Sequence, residues 1–279
     1  MTPEPVPFSL PSTESLLVPG PDGGEGYRID IALPSGARPK AGWPGIVLLD
    51  GAGCFATCVE AMRRMSRRQD ATGVAQAVVI GIAPDDGDPG NKRRQRDFTS
   101  ARAGEGAGGE AGEAGGGAGA FLAFIERQVL PMVSARLPLD ERRLTLFGHS
   151  LAGYFALWVL ANRPHLFRSY AAISPSIWWD RDGLFDAFSR ASLAERRLFM
   201  AVGEWEEALP PWQVGLPGSE EALARRKERR MIANVLELGA ALRAAMGEDG
   251  ASFRLLPEED HASIVSAAIP RMLRLASLP

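Results

Sequence analysis

Only two cysteines occur in the 279 residues, Cys54 and Cys58. Two thiols four positions apart form no disulfide framework, and with no histidine near them they make a poor metal site. They read as small buried apolar residues. Histidine is nearly as scarce, at three, so chemistry that needs an imidazole has few places to be. Excess positive charge is also missing: a net charge of −3 and a pI near 5.8 give no support to a nucleic-acid binder. No apolar run reaches the length of a membrane-spanning helix. The opening stretch MTPEPVPFSLPSTESLL has no basic region and no unbroken apolar segment, so it does not read as a signal peptide. With Met1 as the start, the expectation is a cytoplasmic protein; a periplasmic one would need an export signal ahead of it. No motif asks for a cofactor or a resident metal.

What is present centres on Leu144 to Ala156, LTLFGHSLAGYFA. An apolar run, Leu144 to Phe147, leads into Gly148-His149-Ser150-Leu151-Ala152-Gly153, and an apolar helical stretch, Tyr154 to Ala161, follows. Strand, sharp turn bearing a serine, then helix is the layout of a nucleophile elbow. Its strained turn needs small neighbours, and Gly148 and Ala152 stand two residues either side of Ser150. The usual pattern is Gly-x-Ser-x-Gly, and alanine is the smallest substitute for its last glycine.

Taken in order, residues 1–13 carry four prolines and read as an irregular arm. Glu14 to Val18 and Tyr27 to Leu33 form an antiparallel hairpin across a Pro/Gly turn. Ile46 to Asp50 is a buried parallel strand ending in a Gly51-Ala52-Gly53 turn, and Cys58 to Arg68 is an amphipathic helix. A second buried strand spans Ala77 to Ile82. Residues 102–119 hold nine glycines and three glutamates. They bury almost nothing and read as a mobile loop. Phe121 to Val133 is helical, and further strands are expected at Tyr170 to Ile173, Leu198 to Val202 and Ala251 to Leu256. The basic run Arg225 to Arg230 reads most simply as the solvated face opening one long helix, Leu223 to Met246, with an anion site as the alternative. Ile264 to Leu275 is a final helix. Strands alternating with helices, with no linker or repeat, predict a single three-layer α/β domain over residues 1–279.

A serine hydroxyl needs a base within hydrogen-bond reach. His149 is inside the elbow and cannot fold back onto Ser150, and His165 reads as a cap after the elbow helix. His261 lies in a loop after the last strand, at the edge where strand C-termini gather and ligands bind in open α/β sheets. It is the expected base. The supporting acid belongs between serine and histidine in the chain. Gly203-Glu204-Trp205-Glu206-Glu207 follows a strand there. Glu206 is favoured, with Glu204 second and a Ser-His dyad without an acid as the alternative. The backbone N–H groups of Leu151 and Ala52 would form the oxyanion hole.

Beyond the elbow, the chain resembles a family in six motifs in sequence: Leu49-Asp50-Gly51 with Phe55-Ala56-Thr57, Arg93 to Thr99, Gly148 to Phe155, Ser174 to Trp179, Gly203 to Glu206, and Asp260-His261. It is similar to the esterase branch of the α/β-hydrolases that includes the enterobactin and salmochelin trilactone esterases. The likeness covers most of Tyr27 to Leu275. It implies an α/β-hydrolase fold with a mostly parallel sheet and carboxylic-ester hydrolysis through an acyl-serine. A catecholate siderophore is the expected small-molecule substrate, with no nucleic acid or membrane partner. A general carboxylesterase or thioesterase for small acyl groups, and a hydrolase-fold binding protein without catalysis, are the alternatives. A ferric tris-catecholate is anionic and aromatic, so Arg93, Arg94, Trp178 and Trp205 are the expected substrate contacts. The competing expectation for Arg94 is an ion pair with Asp97 that braces its own loop.

Overall fold

A computed structural model describes residues 9–85, 92–100 and 116–279. The strands are β1 (Thr13–Val18), β2 (Tyr27–Ala32), β3 (Trp43–Leu49), β4 (Val78–Pro84), β5 (Leu139–His149), β6 (Ser169–Ile173), β7 (Arg197–Gly203) and β8 (Ala251–Leu256). They form one sheet in the order β1-β2-β4-β3-β5-β6-β7-β8. β1 pairs antiparallel with β2, and β2 antiparallel with β4. From β4 onward every pairing is parallel. This is the predicted α/β-hydrolase layout with its N-terminal hairpin.

The helices are α1 (Gly51–Ser66), α2 (Gln69–Thr72), α3 (Lys92–Phe98), α4 (Ala118–Phe124), α5 (Leu130–Arg136), α6 (Leu151–Asn162), α7 (Arg181–Arg190), α8 (Ser219–Arg229), α9 (Met231–Met246) and α10 (Ile264–Ser277). They cover both faces of the sheet. α1 and α10 enclose one core around Ile46, Leu48, Phe147 and Met272. The larger core, on the other face, packs Val47, Leu146, Tyr154 and Leu238 among α4, α6 and α9. β3 is buried along its whole length, as a continuous apolar run requires when both faces are covered. Cys54 and Cys58 are buried and unpaired on α1. Burial pushes the Cys54 thiol up to about 12, and the Cys58 thiol is raised for the same reason. Among the described residues, no helix is long and apolar enough to cross a membrane, and no cluster of three metal-ligating side chains occurs.

Several boundaries differ from expectation. The turn after β3 is already helix, because Asp50 rather than a glycine takes the left-handed conformation (φ 52°) and α1 starts at Gly51. Gly51 must be a glycine, since a Cβ there would lie 2.7 Å from the Gly81 Cα. Arg93 to Thr99 is mostly helix rather than loop. The Phe121 to Val133 helix is interrupted by a π-helical turn, Ile125–Val129, where Pro131 removes an N–H and crowds the carbonyl four residues earlier. The long helix expected over Leu223 to Met246 is two, α8 and α9, broken where Arg230 enters the left-handed region at φ 48°. The irregular arm ends at residue 12, since Thr13 begins β1, and its residues 1–8 lie outside the described residues. The glycine-rich stretch falls outside them over 102–115, while Ala118 and Gly119 already belong to α4.

Candidate active site

β5 delivers Ser150 to the C-terminal edge of the sheet, between the strand and α6. Ser150 holds φ 58° and ψ −120°, a conformation that side chains other than hydrogen rarely adopt. The local sequence permits it: a Cβ on Gly148 would stand 2.0 Å from the Ala152 carbonyl oxygen. Ala152 itself is fully buried in the larger core, so its methyl group is accommodated where a glycine is usual. The Ser150 N–H donates to the Ile173 carbonyl at 2.9 Å, which ties the elbow to β6.

His261 lies in the loop after β8, and its Nε2 is 3.0 Å from the Ser150 Oγ. On the far side its Nδ1 is 2.8 Å from Glu206 Oε2. With the proton on Nδ1 donated to the carboxylate, Nε2 is free to accept from the serine hydroxyl. Glu206 is almost wholly buried in the short turn after β7. Its Oε1 accepts from the Gly203 N–H at 3.0 Å and from the Ser174 hydroxyl. Burial alone would push this carboxyl up. The His261 contact, with Ser174 and Gly203, outweighs it and holds the group below the ordinary carboxylate range. A buried carboxylate that stays charged beside an imidazole orients the ring and stabilises its protonated form.

The two loops are stitched together. The Trp205 N–H donates to the Glu259 carbonyl at 3.1 Å, and the Glu258 N–H to Glu204 Oε2 at 2.8 Å. A Cβ on Gly203 would meet the Glu259 carbonyl oxygen at 2.4 Å, so only glycine allows this approach. Glu204 thus braces the histidine loop from the surface, and Glu206 alone of the three glutamates faces His261. The amides expected to form the oxyanion hole, Ala52 and Leu151, open α1 and α6. Among the described residues, neither donates to a carbonyl outside its own helix.

The expected substrate contacts divide. Arg94 and Trp178 line a cavity of about 300 Å³ beside Ser150 and His261. Arg94 pairs at 2.8 Å with Asp50, at the start of α1, and not with Asp97. Arg93 is buried away from the cavity, with its guanidinium on Glu25, Asp85 and the Gly26 carbonyl. The side chain of Trp205 packs edge-on against Trp212, 4.7 Å between ring centres, and does not line the cavity. Other residues there escaped sequence reasoning. Ser176 brings its Oγ within 3.4 Å of the Ser150 Oγ. Arg226 and Arg229, from the run read as a solvated face, line the same cavity, and Arg229 lies 4.8 Å over the Trp178 ring. Their signal was visible as a basic run, but the break at Arg230 that turns α8 over the site leaves no mark in the sequence.

The chain belongs to the family described as "Putative esterase", which it matches over residues 23–235. It is a hydrolase. It is 33% identical to the ferri-bacillibactin esterase BesA of Bacillus subtilis (strain 168), over 98% of this chain and 92% of that one. It is 32% identical to the siderophore triacetylfusarinine C esterase of Aspergillus fumigatus, over 97% and 95% respectively. Among solved structures it matches the siderophore hydrolase EstA of Aspergillus nidulans with a TM-score of 0.84 at 28% identity, covering 99% of this chain and 98% of that one.

Proposed function

We propose that this chain is a serine esterase that hydrolyses the ester bonds of a siderophore, with a catecholate trilactone as its preferred substrate. The observation that carries the reading is the continuous hydrogen-bonded line from Ser150 Oγ through His261 to the buried Glu206 carboxylate. Ser150 Oγ attacks the ester carbonyl carbon while His261 Nε2 takes the hydroxyl proton. The carbonyl oxygen, now negative, is met by the N–H groups of Leu151 and Ala52, at the positive ends of two helices. His261 then gives its proton to the departing alcohol, leaving an acyl-Ser150. A water molecule, deprotonated by the same histidine, releases the acid and restores the serine.

The cavity's outer wall supports the substrate class. Arg226 and Arg229 supply positive charge, and Trp178 supplies a flat apolar face beneath a guanidinium. Together they complement an anionic iron chelate with aromatic rings. Relatives named for siderophore esters support the siderophore part of this reading. The test is product analysis by mass spectrometry on ferric and iron-free trilactone siderophores, short acyl esters and acyl thioesters. The expected outcome is stepwise opening of the trilactone ring, much faster than turnover of the small esters. Preference for short acyl esters or thioesters would make the chain a general carboxylesterase or thioesterase.

A further inference from the structure

His149 occupies the last position of β5, one residue before the nucleophile, and the reaction as written has no use for its ring. The geometry around it is nevertheless specific. Its Nε2 lies 2.7 Å from the backbone carbonyl oxygen of His261. Its ring centre is 4.7 Å from that of His261, with the planes inclined at 46°. A carbonyl can only accept, so Nε2 carries the proton. Among the described residues, the other bonds that hold the backbone of the His261 loop come from the acid loop or from within. Trp205 and Glu204 grip Glu259 and Glu258, and Asp260 accepts from the Ala262 and Ser263 amides at 2.8 Å. His149 is the grip from the side of the elbow.

We propose that His149 is a positioning residue for the esterase reaction: it donates Nε2–H to the His261 carbonyl, packs beside the His261 ring, and so fixes the base at its height over Ser150. The inference rests on the esterase reading, in which His261 is the base. It explains why the residue can be a histidine without harm to its neighbour. His261 becomes positive during acylation, and a second cation at ring-stacking distance would oppose that charge. Burial pushes the His149 imidazole down to about 4, and the nearby His261 acts in the same direction, so the ring is neutral near pH 7. The charged or titratable groups facing it are His261, Glu206 and Arg94, whose Nη2 stands 3.5 Å from the His149 carbonyl oxygen.

The test compares His149→Leu, His149→Gln and His149→Arg with the wild-type protein on a small neutral ester, with kcat and kcat/KM measured against pH. Circular dichroism establishes that each variant is folded. Proton NMR follows the downfield resonance of the His261–Glu206 hydrogen bond. Leucine removes the donor and should lower kcat by about tenfold to a hundredfold, the scale of a slightly misplaced catalytic group, with KM within about twofold. Glutamine retains an N–H and should recover most of that loss and keep the NMR resonance. Arginine, whose guanidinium stays charged even when buried, places a positive charge beside His261. It lowers the pKa of that base, so the acid limb of kcat/KM should move to lower pH. Leucine and glutamine behaving alike, whether both near wild type or both equally slow, would overturn the proposal, as would an arginine variant whose acid limb does not move. A wild-type protein that hydrolyses no ester would instead bring down the esterase reading and this inference with it.

Discussion

Strand β5 has a cavity at each end, and the larger of the two holds no line of chemistry. At the N-terminal end, a space of about 710 Å³ is lined by Asp140, Arg142, His165, Arg168, Arg196 and Ser277, among others. It contains a serine, a histidine and carboxylates, the same residue types as the site at the other end. There the resemblance stops. The Ser277 hydroxyl donates to the Leu273 carbonyl at 2.8 Å and accepts from the Ala75 N–H at 2.9 Å. Asp140 faces Arg142 at 3.5 Å. Among the described residues, no hydrogen bond joins His165 to either. The smaller cavity, about 300 Å³, lies where the loops that follow β5, β6, β7 and β8 converge. Parallel strands bring their C-terminal loops together on one edge, and helix N-termini point their free N–H groups at it. Under the proposed function, residue types and cavity size do not mark the working end; strand direction does.

The contrast is broken most severely by Ser150→Ala. Removing the nucleophile should lower turnover of any ester on the order of a million-fold while leaving the thermal midpoint close to wild type. Next comes the acid. Glu206→Gln keeps the shape but loses the charge that orients His261, and should cost roughly four orders of magnitude in kcat. Glu204→Gln, which only alters a surface brace, should fall far less. Equal, small losses in the two would mean that His261 works without an acid. Both variants are compared in steady-state assays on the same substrate.

Smaller effects sharpen the picture of the outer wall. Arg229→Ala removes the guanidinium over Trp178 and should weaken a ferric siderophore by about 1–2 kcal/mol, seen as a raised KM. A small neutral ester, which does not reach that wall, should be unaffected. Equal losses on both substrates would make Arg229 a structural residue. Smallest of all is His165→Ala in the larger cavity, where kcat/KM should stay within about twofold of wild type. A large loss there would mean that the N-terminal edge also contributes to turnover.

Much of this arrangement is legible in the sequence. Continuous apolar runs such as Ile46 to Leu49 and Leu144 to Phe147 can be little else than buried strands, and the small residues around Ser150 betray the tight turn. The spacing after Gly203 favours Glu206 over Glu204, and in the structure Glu206 meets His261 Nδ1 while Glu204 accepts from the Glu258 N–H. What stayed hidden depends on conformations that side chains do not announce. Reading Arg93 to Thr99 as a loop concealed helical spacing. In α3, Arg93 and Asp97 share the face that meets Tyr27, while Arg94 and Phe98 lie on the next. Arg94 therefore reaches Asp50 rather than Asp97. In the same way, an arginine in the left-handed region at position 230 cannot be anticipated from its type. The run stays largely solvated, as its composition predicts, while α8 ends with Arg226 and Arg229 at the wall of the cavity.

The central claim, that an ester of the siderophore is cleaved through Ser150, is tested most directly by trapping the intermediate. Turnover of a ferric trilactone is stopped in acid within the first cycles, the protein is digested, and the peptides are mapped by mass spectrometry. The expected result is a mass increase equal to the whole iron-free trilactone, because the alcohol released on ring opening stays tethered to the acyl group, on the peptide that carries Ser150, located at that serine and absent from Ser150→Ala. An adduct on another residue, or active hydrolysis with none on Ser150, would contradict it.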